Sequence, residues 1–119
     1  MASLSMAMPV KPGKSDQLRS FAGEVLGTRR AAFEESEQRV GIAREGWYLQ
    51  ASAMGDLMII WVEADDPGAA LAGFIQSQDT FDTWFKTQLL DITGVDLNDA
   101  PADVPEVLMD WSATARVAS

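Results

Sequence analysis

The segment LMIIWVEA, residues 57–64, decides the fold, because its side chains are apolar on both parities. Successive side chains of a strand point to opposite faces of a sheet, so each parity of this segment belongs to one face. The apolar residues of the two parities are, in turn, Leu57, Ile59 and Trp61, and Met58, Ile60 and Val62. A strand with this pattern is predicted to be buried on both sides, so its sheet needs a cover on each face.

The segment before it, AREGWYLQAS at residues 43–52, predicts the first strand of a hairpin. Between the two strands, AMGD at residues 53–56 supplies a tight turn around Gly55. The length of this turn determines which side chains face each other across the hairpin.

Two registers of the hairpin are consistent with the sequence. A turn of two or four residues pairs Tyr48 with Trp61 and places Arg44 diagonal to Glu63. A three-residue turn with a glycine bulge instead pairs Trp47 with Trp61, and it sets Glu45 opposite Glu63. We favour the first register, because like charges directly opposed across two strands are unfavourable.

The first third of the chain predicts a strand followed by a long helix. In LSMAMPV, residues 4–10, every second residue is apolar, which is typical of a strand with one buried face. After a Pro-Gly break, apolar residues recur at helical spacing over residues 15–40. Ser15 is the predicted N-cap of this helix, and Gly41 is placed just past its C-terminus.

The last part of the chain predicts two helical pieces and a strand. The dipeptide Asp66-Pro67 predicts a helix start, because an acidic N-cap followed by proline is a common beginning. A second piece begins at Asp79 and ends at Gly94. The segment EVLMDW, residues 106–111, predicts a short final strand.

The predicted order is strand, helix, strand, strand, helix pair, strand. This is the βαββαβ order of a ferredoxin-like α+β domain with a four-stranded antiparallel sheet. Residues 1–119 are expected to form this single domain, with residues 112–119 as a loose tail. The helices cover one face of the sheet, and the simplest cover for the other is a second copy, which predicts a homodimer.

The composition of the chain argues against several kinds of partner and of chemistry. The chain has 119 residues, with 9 basic and 18 acidic residues and a formal net charge of −9. Such a surface repels phosphate backbones and anionic lipid headgroups, so neither nucleic acid nor a membrane is an expected partner. There is no apolar run of about 18 residues and no signal-peptide pattern, so the expected location is the cytoplasm. Cysteine and histidine are absent, which excludes disulfides, thiolate chemistry and histidine as metal ligand or general base.

The tripeptide Gly13-Lys14-Ser15 has the sequence that ends a phosphate-binding loop. The complete motif needs a glycine five residues before Gly13, where this chain has Met8. Pro12 also removes one backbone N–H donor from the segment. We therefore predict a turn between strand and helix rather than a site of nucleotide hydrolysis.

Candidate ligand contacts come from the aromatic and charged residues of the hairpin. Tryptophan carries an N–H that needs a partner, so tryptophans in a small domain suit a ligand cavity as well as a core. The predicted pocket lies between sheet and helices and is lined by Arg44, Tyr48, Trp61 and Glu63, together with Trp84 from the second helical region. The acidic pairs of the chain are interpreted as helix caps and solvated groups, so no metal and no cofactor are predicted.

Four segments of the chain carry a family resemblance: KPGK at 11–14, TRRAAFEES at 28–36, MGDLMIIWVEADDP at 54–67 and DTFDTWF at 79–85. They resemble an uncharacterised bacterial branch of the dimeric α/β-barrel superfamily, which includes antibiotic-biosynthesis-monooxygenase-like proteins. The resemblance spans nearly the whole chain and implies a ferredoxin-like fold and a homodimer.

The superfamily includes cofactor-free oxygenases and haem-degrading enzymes. The latter use a histidine on the iron with an asparagine and a tryptophan. Here histidine is absent, the only asparagine, Asn98, lies in a predicted loop, and only Trp84 could match the tryptophan. Haem degradation is therefore not expected. A cofactor-free oxygenase would use Arg44 as a polar anchor, with Tyr48 or Trp84 orienting the substrate.

We expect a homodimeric domain that binds a small, mostly apolar molecule. The alternatives are a cofactor-free monooxygenase or isomerase on the same scaffold, and a structural or regulatory dimer without a ligand. A cavity of a few hundred Å³ lined by tryptophan and one or two charged groups would favour binding. A filled core would favour the structural dimer.

Overall fold

The computed structural model describes residues 1–98 and 105–113. The elements in chain order are β1 (Ala2–Pro9), α1 (Ser15–Leu26), α2 (Arg30–Val40), β2 (Ile42–Gln50), β3 (Leu57–Ala64), α3 (Pro67–Gln76) and α4 (Thr80–Thr93). The described residues therefore form an α+β structure with a three-stranded sheet and four helices.

The sheet is antiparallel with strand order β1-β3-β2, so the LMIIWVEA segment lies at its centre. In β1, Met6 lies opposite Ile60 of β3, and in β2, Gly46 lies opposite Trp61. Because both outer strands are antiparallel to β3, they run parallel to each other on either side of it. The first three predicted strands are confirmed in this arrangement.

The favoured hairpin register is wrong by two residues. Tyr48 lies opposite Ile59 rather than Trp61, and Arg44 lies directly opposite Glu63 rather than diagonal to it. The reason is that the loop between β2 and β3 is longer than the turn that the sequence indicated. A shift of two residues leaves every side chain on its original face, so the four hairpin residues of the predicted pocket still share one side of the sheet.

The single long helix predicted over residues 15–40 is wrong, because the chain turns at Gly27 between α1 and α2. Gly27 leaves the helical region with φ −107° and ψ −105°. Arg29 closes the corner, since its N–H donates to the Glu24 carbonyl at 3.0 Å and its Nε donates to the Glu24 carboxylate at 2.8 Å. A β-carbon at position 27 would meet the carbonyl oxygen of Gly23 at 2.7 Å, so the corner requires glycine.

Most of the predicted helix boundaries are confirmed by their caps. The side chains of Asp66 and Asp79 accept backbone N–H bonds of 3.0 Å and 3.1 Å in the first turns of α3 and α4. Gly41 and Gly94 follow α2 and α4 with φ of 87° and 80°, the left-handed conformation that glycine adopts without strain. Ser15 is the exception, because it does not cap α1. Its hydroxyl donates instead to the carboxylate of Asp56 in the β2–β3 loop at 2.6 Å.

The predicted final strand at residues 106–111 is not a strand, so the four-stranded ferredoxin-like sheet is not confirmed. The segment borders an open cleft of about 740 Å³, whose other side is formed by the start of β1. A short apolar run becomes a strand only where a neighbouring edge accepts its hydrogen bonds, and here the run and the edge of β1 do not pair. Of the predicted loop and tail, residues 99–104 and 114–119 lie outside the described residues.

The core lies between the sheet and the helices. The even-numbered residues of β3 are buried along the whole strand, and the odd-numbered residues are only half-buried. Met58 and Ile60 pack with Phe21 of α1 and with Phe85 and Leu89 of α4. The other sheet face, which carries the odd-numbered residues of β3 and the side chain of Tyr48, has no described helix packed on it. We call it the open face.

Candidate functional site

The structure places four of the five predicted pocket residues on the open face. Arg44 faces Glu63 across β2 and β3, and its guanidinium carbon lies 5.3 Å from the centre of the Trp61 ring. Tyr48 is 61% exposed, and its ring lies against Gly46, the residue opposite Trp61. These side chains form a polar and aromatic patch that points away from the helices.

Trp84 does not join this patch, because it lies in the helical layer on the opposite side of the sheet. Its ring packs edge-on to Phe21 at 5.4 Å and against Phe81 at 5.6 Å. The guanidinium carbon of Arg29 lies 3.8 Å from the ring centre. Trp84 is therefore the one member of the predicted set on the helical side of the sheet.

A different group of residues surrounds a cavity between the sheet and the helices. The cavity has a volume of about 50 Å³, and its lining is apolar apart from Ser36, Glu37 and Glu45. The apolar walls come from all three strands, from the helices α2, α3 and α4, and from Leu97 after α4. It is smaller than the few hundred Å³ that the sequence led us to expect, and no tryptophan lines it.

Glu37 of α2 and Glu45 of β2 meet at this cavity. Glu45 shares the buried parity of β2 with Trp47, and it accepts a hydrogen bond of 2.5 Å from the Trp47 indole Nε1. The carboxyl groups of Glu37 and Glu45 lie close enough to interact, and both residues line the cavity and the cleft outside it. Two adjacent carboxylates repel each other, which favours a proton on one of them.

The environment raises the pKa of both carboxyl groups. Burial raises the pKa of Glu37 to about 9, with further contributions from the charge of Glu45, the hydrogen bond to it and the charge of Asp82. Burial also raises the pKa of Glu45, against the opposing effect of the hydrogen bonds from Trp47 and Glu37. At neutral pH, Glu37 is therefore the protonated member and donates to Glu45.

Arg39, two residues after Glu37 in α2, is engaged with other carboxylates. The fully buried carboxylate of Asp82 accepts a hydrogen bond from Ser36 Oγ and another of 2.6 Å from Arg39 Nη1. The second terminal nitrogen of Arg39 lies 3.5 Å from the carboxylate of Asp79. In the described part of the chain, no lysine or arginine forms an ion pair with either glutamate.

The glutamate pair also connects the cavity to the surface. Both carboxyl groups line an open cleft of about 330 Å³ between α2 and the outer edge of β2. Glu45 and Phe33 line a further cleft of about 200 Å³, whose other wall is formed by α1. Glu37 and Glu45 therefore stand at the mouth of the cavity, with apolar walls on the inside and solvent on the outside.

Sequence reasoning missed this pair. Glu45 could have been noticed, because it lies two residues before Trp47 on the parity that faces the core. Glu37 lies four residues after Phe33, on the same side of α2, where its burial depends on how the helix packs. The sequence contains no signal that these two segments meet.

The segment Gly13-Lys14-Ser15 forms the predicted turn between β1 and α1, with Gly13 at φ 80°. Lys14 Nζ donates to Gln17 at 3.2 Å and pairs with Asp91 at 3.4 Å. Hydrogen bonds from Gln17 and Lys14 lower the pKa of Asp91. The lysine thus bridges α1 and α4.

Within residues 1–98 and 105–113, no group of three or more carboxylates is arranged so that it could hold a metal ion. No helix within those ranges is long and apolar enough to cross a membrane.

Comparisons of the chain with protein-family models, curated proteins and solved structures found no match. The resemblance to the dimeric α/β-barrel superfamily therefore stays a proposal, and the site has to be interpreted from its own geometry.

Proposed function

We propose that the protein is a homodimeric binding domain that takes up a small, mostly apolar molecule in the cavity between sheet and helices. The observation that carries this proposal is the Glu37–Glu45 pair at the mouth of an otherwise apolar cavity. Two carboxyl groups without a cation are costly to bury, and a core built only for stability would hold apolar side chains there. Strongly perturbed carboxyl groups beside a cavity are typical of functional sites.

The size of the cavity limits what it can take. A volume of about 50 Å³ is well below the roughly 300–1,000 Å³ of pockets for drug-sized ligands. The occupant is therefore a molecule of a few non-hydrogen atoms, or the apolar end of a larger one that extends past Glu37 and Glu45. The cleft of about 330 Å³ outside the glutamates offers room for such an extension.

The open face supports the dimer in this proposal. Leu57, Ile59 and Trp61 of β3 are half-buried there, without a described helix above them. Trp61 faces the segment 105–110 across an open cleft, and Tyr48 beside these residues is exposed. A large, partly exposed apolar surface of this kind favours an interaction site. Arg44 and Glu63 give the face one charge of each sign, so a copy turned about a two-fold axis can meet opposite charges. Face-to-face packing of two such sheets is the arrangement that the dimeric α/β-barrel resemblance implies.

A second candidate function is an isomerase that moves a proton on a bound substrate. It is favoured by the two adjacent carboxyl groups, because Glu37, whose pKa is raised to about 9, can give a proton to a substrate held beside them. Pairs of carboxyl groups that hold one proton between them are a common arrangement for general acid–base catalysis. Of the two reactions that the sequence left open, a cofactor-free monooxygenase and an isomerase, the isomerase is favoured here because it uses only groups that line the cavity.

Binding is tested by titrating 3-methyl-1-butanol, a small branched alcohol, into ¹⁵N-labelled protein. The indole N–H of Trp47 bonds to Glu45 and reports on the mouth, while the indole of Trp61 on the open face serves as an internal reference. We expect a saturable shift of the Trp47 signal, which Leu71→Phe abolishes by filling the cavity. The matched control is Leu90→Phe, on the exposed side of α4, which should keep the shift.

A Trp47 signal that does not respond, or a response that Leu71→Phe leaves unchanged, would contradict binding in this cavity. The structural dimer without a ligand would then be the remaining function.

A further inference from the structure

The polar groups that the cavity presents carry only negative charge, and they offer more hydrogen-bond acceptors than donors. Ser36 donates to Asp82 and is occupied, so the mouth presents only Glu37 and Glu45 to an incoming molecule. Two carboxyl groups offer several acceptor sites and a single shared proton. An anionic occupant would be repelled, and a purely hydrocarbon occupant would leave the acceptors unmatched.

None of the cations around the site forms an ion pair with the two glutamates in the described part of the chain. Arg39 of α2 pairs with Asp82 and Asp79. Lys86 of α4 is buried with its Nζ donating to the carbonyl oxygens of Ile75 and Ser77, both at 2.9 Å. The guanidinium carbon of Arg44 lies 5.3 Å from the centre of the Trp61 ring on the open face. A ligand can therefore supply the cation that the glutamate pair lacks.

Few other charged groups face the pair. Asp82 acts on it from α4, and Glu34 and Arg44 line the cleft outside the mouth. The segments of β1, β3 and α3 that line the cavity contribute apolar residues only. The net charge of the chain, −9, adds a long-range attraction for cations.

We propose that the occupant is a small aliphatic amine, bound as its ammonium ion between Glu37 and Glu45 with its alkyl body in the apolar cavity. This inference rests on the proposed binding function and names the class of ligand. The ammonium group supplies the positive charge and up to three donors that the mouth lacks, and the alkyl body matches the walls. The cation takes the position of the proton that now joins the two carboxyl groups.

Replacement of a proton by a cation makes binding depend on pH in a defined way. Below about pH 9, Glu37 has to release its proton when the ammonium ion binds, whereas an alkylamine keeps its own charge up to about pH 10. For a pKa of about 9, proton linkage gives a dissociation constant about ninefold lower at pH 8 than at pH 7. A neutral ligand of the same shape has no proton to displace and should show no such change.

The experiment compares 3-methylbutylamine with 3-methyl-1-butanol, which differ only in the polar group. Both are titrated at pH 7 and pH 8 while the Trp47 indole signal is followed. We expect the amine to bind more tightly than the alcohol and to gain about ninefold over this interval. Glu37→Gln should remove the pH dependence, because glutamine has no proton to release. Glu35→Gln, an exposed change of equal charge on the same helix, should retain it.

The outcomes separate the two proposals. If the alcohol binds as well as the amine and neither depends on pH, the cavity is a binding site but the amine class is wrong. If neither molecule moves the Trp47 signal, the binding function itself fails. The amine could instead shift other signals but not that of Trp47, with a shift that disappears at high salt and remains in Glu37→Gln. Such a shift reports attraction of the amine to the charged surface, and it would overturn the inference.

Discussion

Replacing Glu37 by glutamine should remove a pH dependence of stability that the half-buried carboxyl pair creates. The pKa of Glu37 is raised from 4.5 to about 9 in the folded protein. Below pH 4.5 the group is protonated in both the folded and unfolded chain, so its stabilising contribution is fully present. As the pH rises, only the unfolded chain releases the proton, and the free energy of unfolding falls until about pH 9.

The magnitude follows from the same linkage. A full difference of one proton lowers the free energy of unfolding by about 1.4 kcal/mol per pH unit, or about 2.7 kcal/mol from pH 6 to pH 8. Because the mouth is open to solvent, we expect about half of this, roughly 1.4 kcal/mol. The variant keeps a donor toward Glu45 but has no proton to release, so its stability should change much less over this interval.

Urea unfolding at pH 6, 7 and 8, followed by tryptophan fluorescence, measures the effect. At pH 8 the variant should be more stable than the parent, and the difference should shrink toward pH 5. Glu35→Gln controls for the loss of one carboxylate from α2, because its side chain is exposed, and it should stay parallel to the parent. Parallel curves for the parent and Glu37→Gln would refute the assignment of a buried proton to this pair.

Three other substitutions test the dimer, the buried network and the turn. Ile59→Lys places a charge on the open face and should unfold the protein rather than yield a stable monomer, as judged by circular dichroism and light scattering; a well-folded parent monomer of 12.9 kDa would contradict the dimer. Asp82→Ala removes the acceptor of the buried Ser36 hydroxyl and one of the two partners of Arg39, and it should cost about 1–3 kcal/mol in urea unfolding, whereas a loss under about 0.5 kcal/mol would show that the network matters little. Lys14→Ala should change stability by less than about 0.5 kcal/mol, because its ion pair with Asp91 is solvated. Magnesium ATP should not raise the Tm of the parent, and a clear rise would show that the turn binds a nucleotide after all.

The local parts of the fold could be predicted because their causes are local. The alternation in β1 and β3, the acidic caps at Asp66 and Asp79, and the glycines after α2 and α4 act over a few residues. Each is a matter of backbone conformation or of one hydrogen bond, so the sequence contains the necessary information. The open face was predicted in the same way, from a central strand that is apolar on both parities.

The errors lie where distant contacts compete with local pattern. Helical periodicity continues across Gly27, but in the folded chain Arg29 bonds back to Glu24 there and α1 and α2 are separate helices. The hairpin register depends on the length of the β2–β3 loop. A shift of two residues keeps every side chain on its face, so the apolar pattern does not distinguish the two registers. The segment at 106–111 has the composition of a strand, but composition does not provide the pairing edge that makes one.

The candidate site shows most clearly which features follow from the sequence and which depend on the tertiary structure. The sequence by itself determined that the hairpin has a polar and aromatic face and a core face, because side-chain direction along a strand has a period of two. Only the tertiary structure decided that α2 packs against β2 so that Glu37 meets Glu45 over an apolar cavity. The physical reason is that a carboxyl group has no fixed chemistry of its own: its pKa and its partners are set by burial and by neighbouring charges, which exist only once the chain has folded.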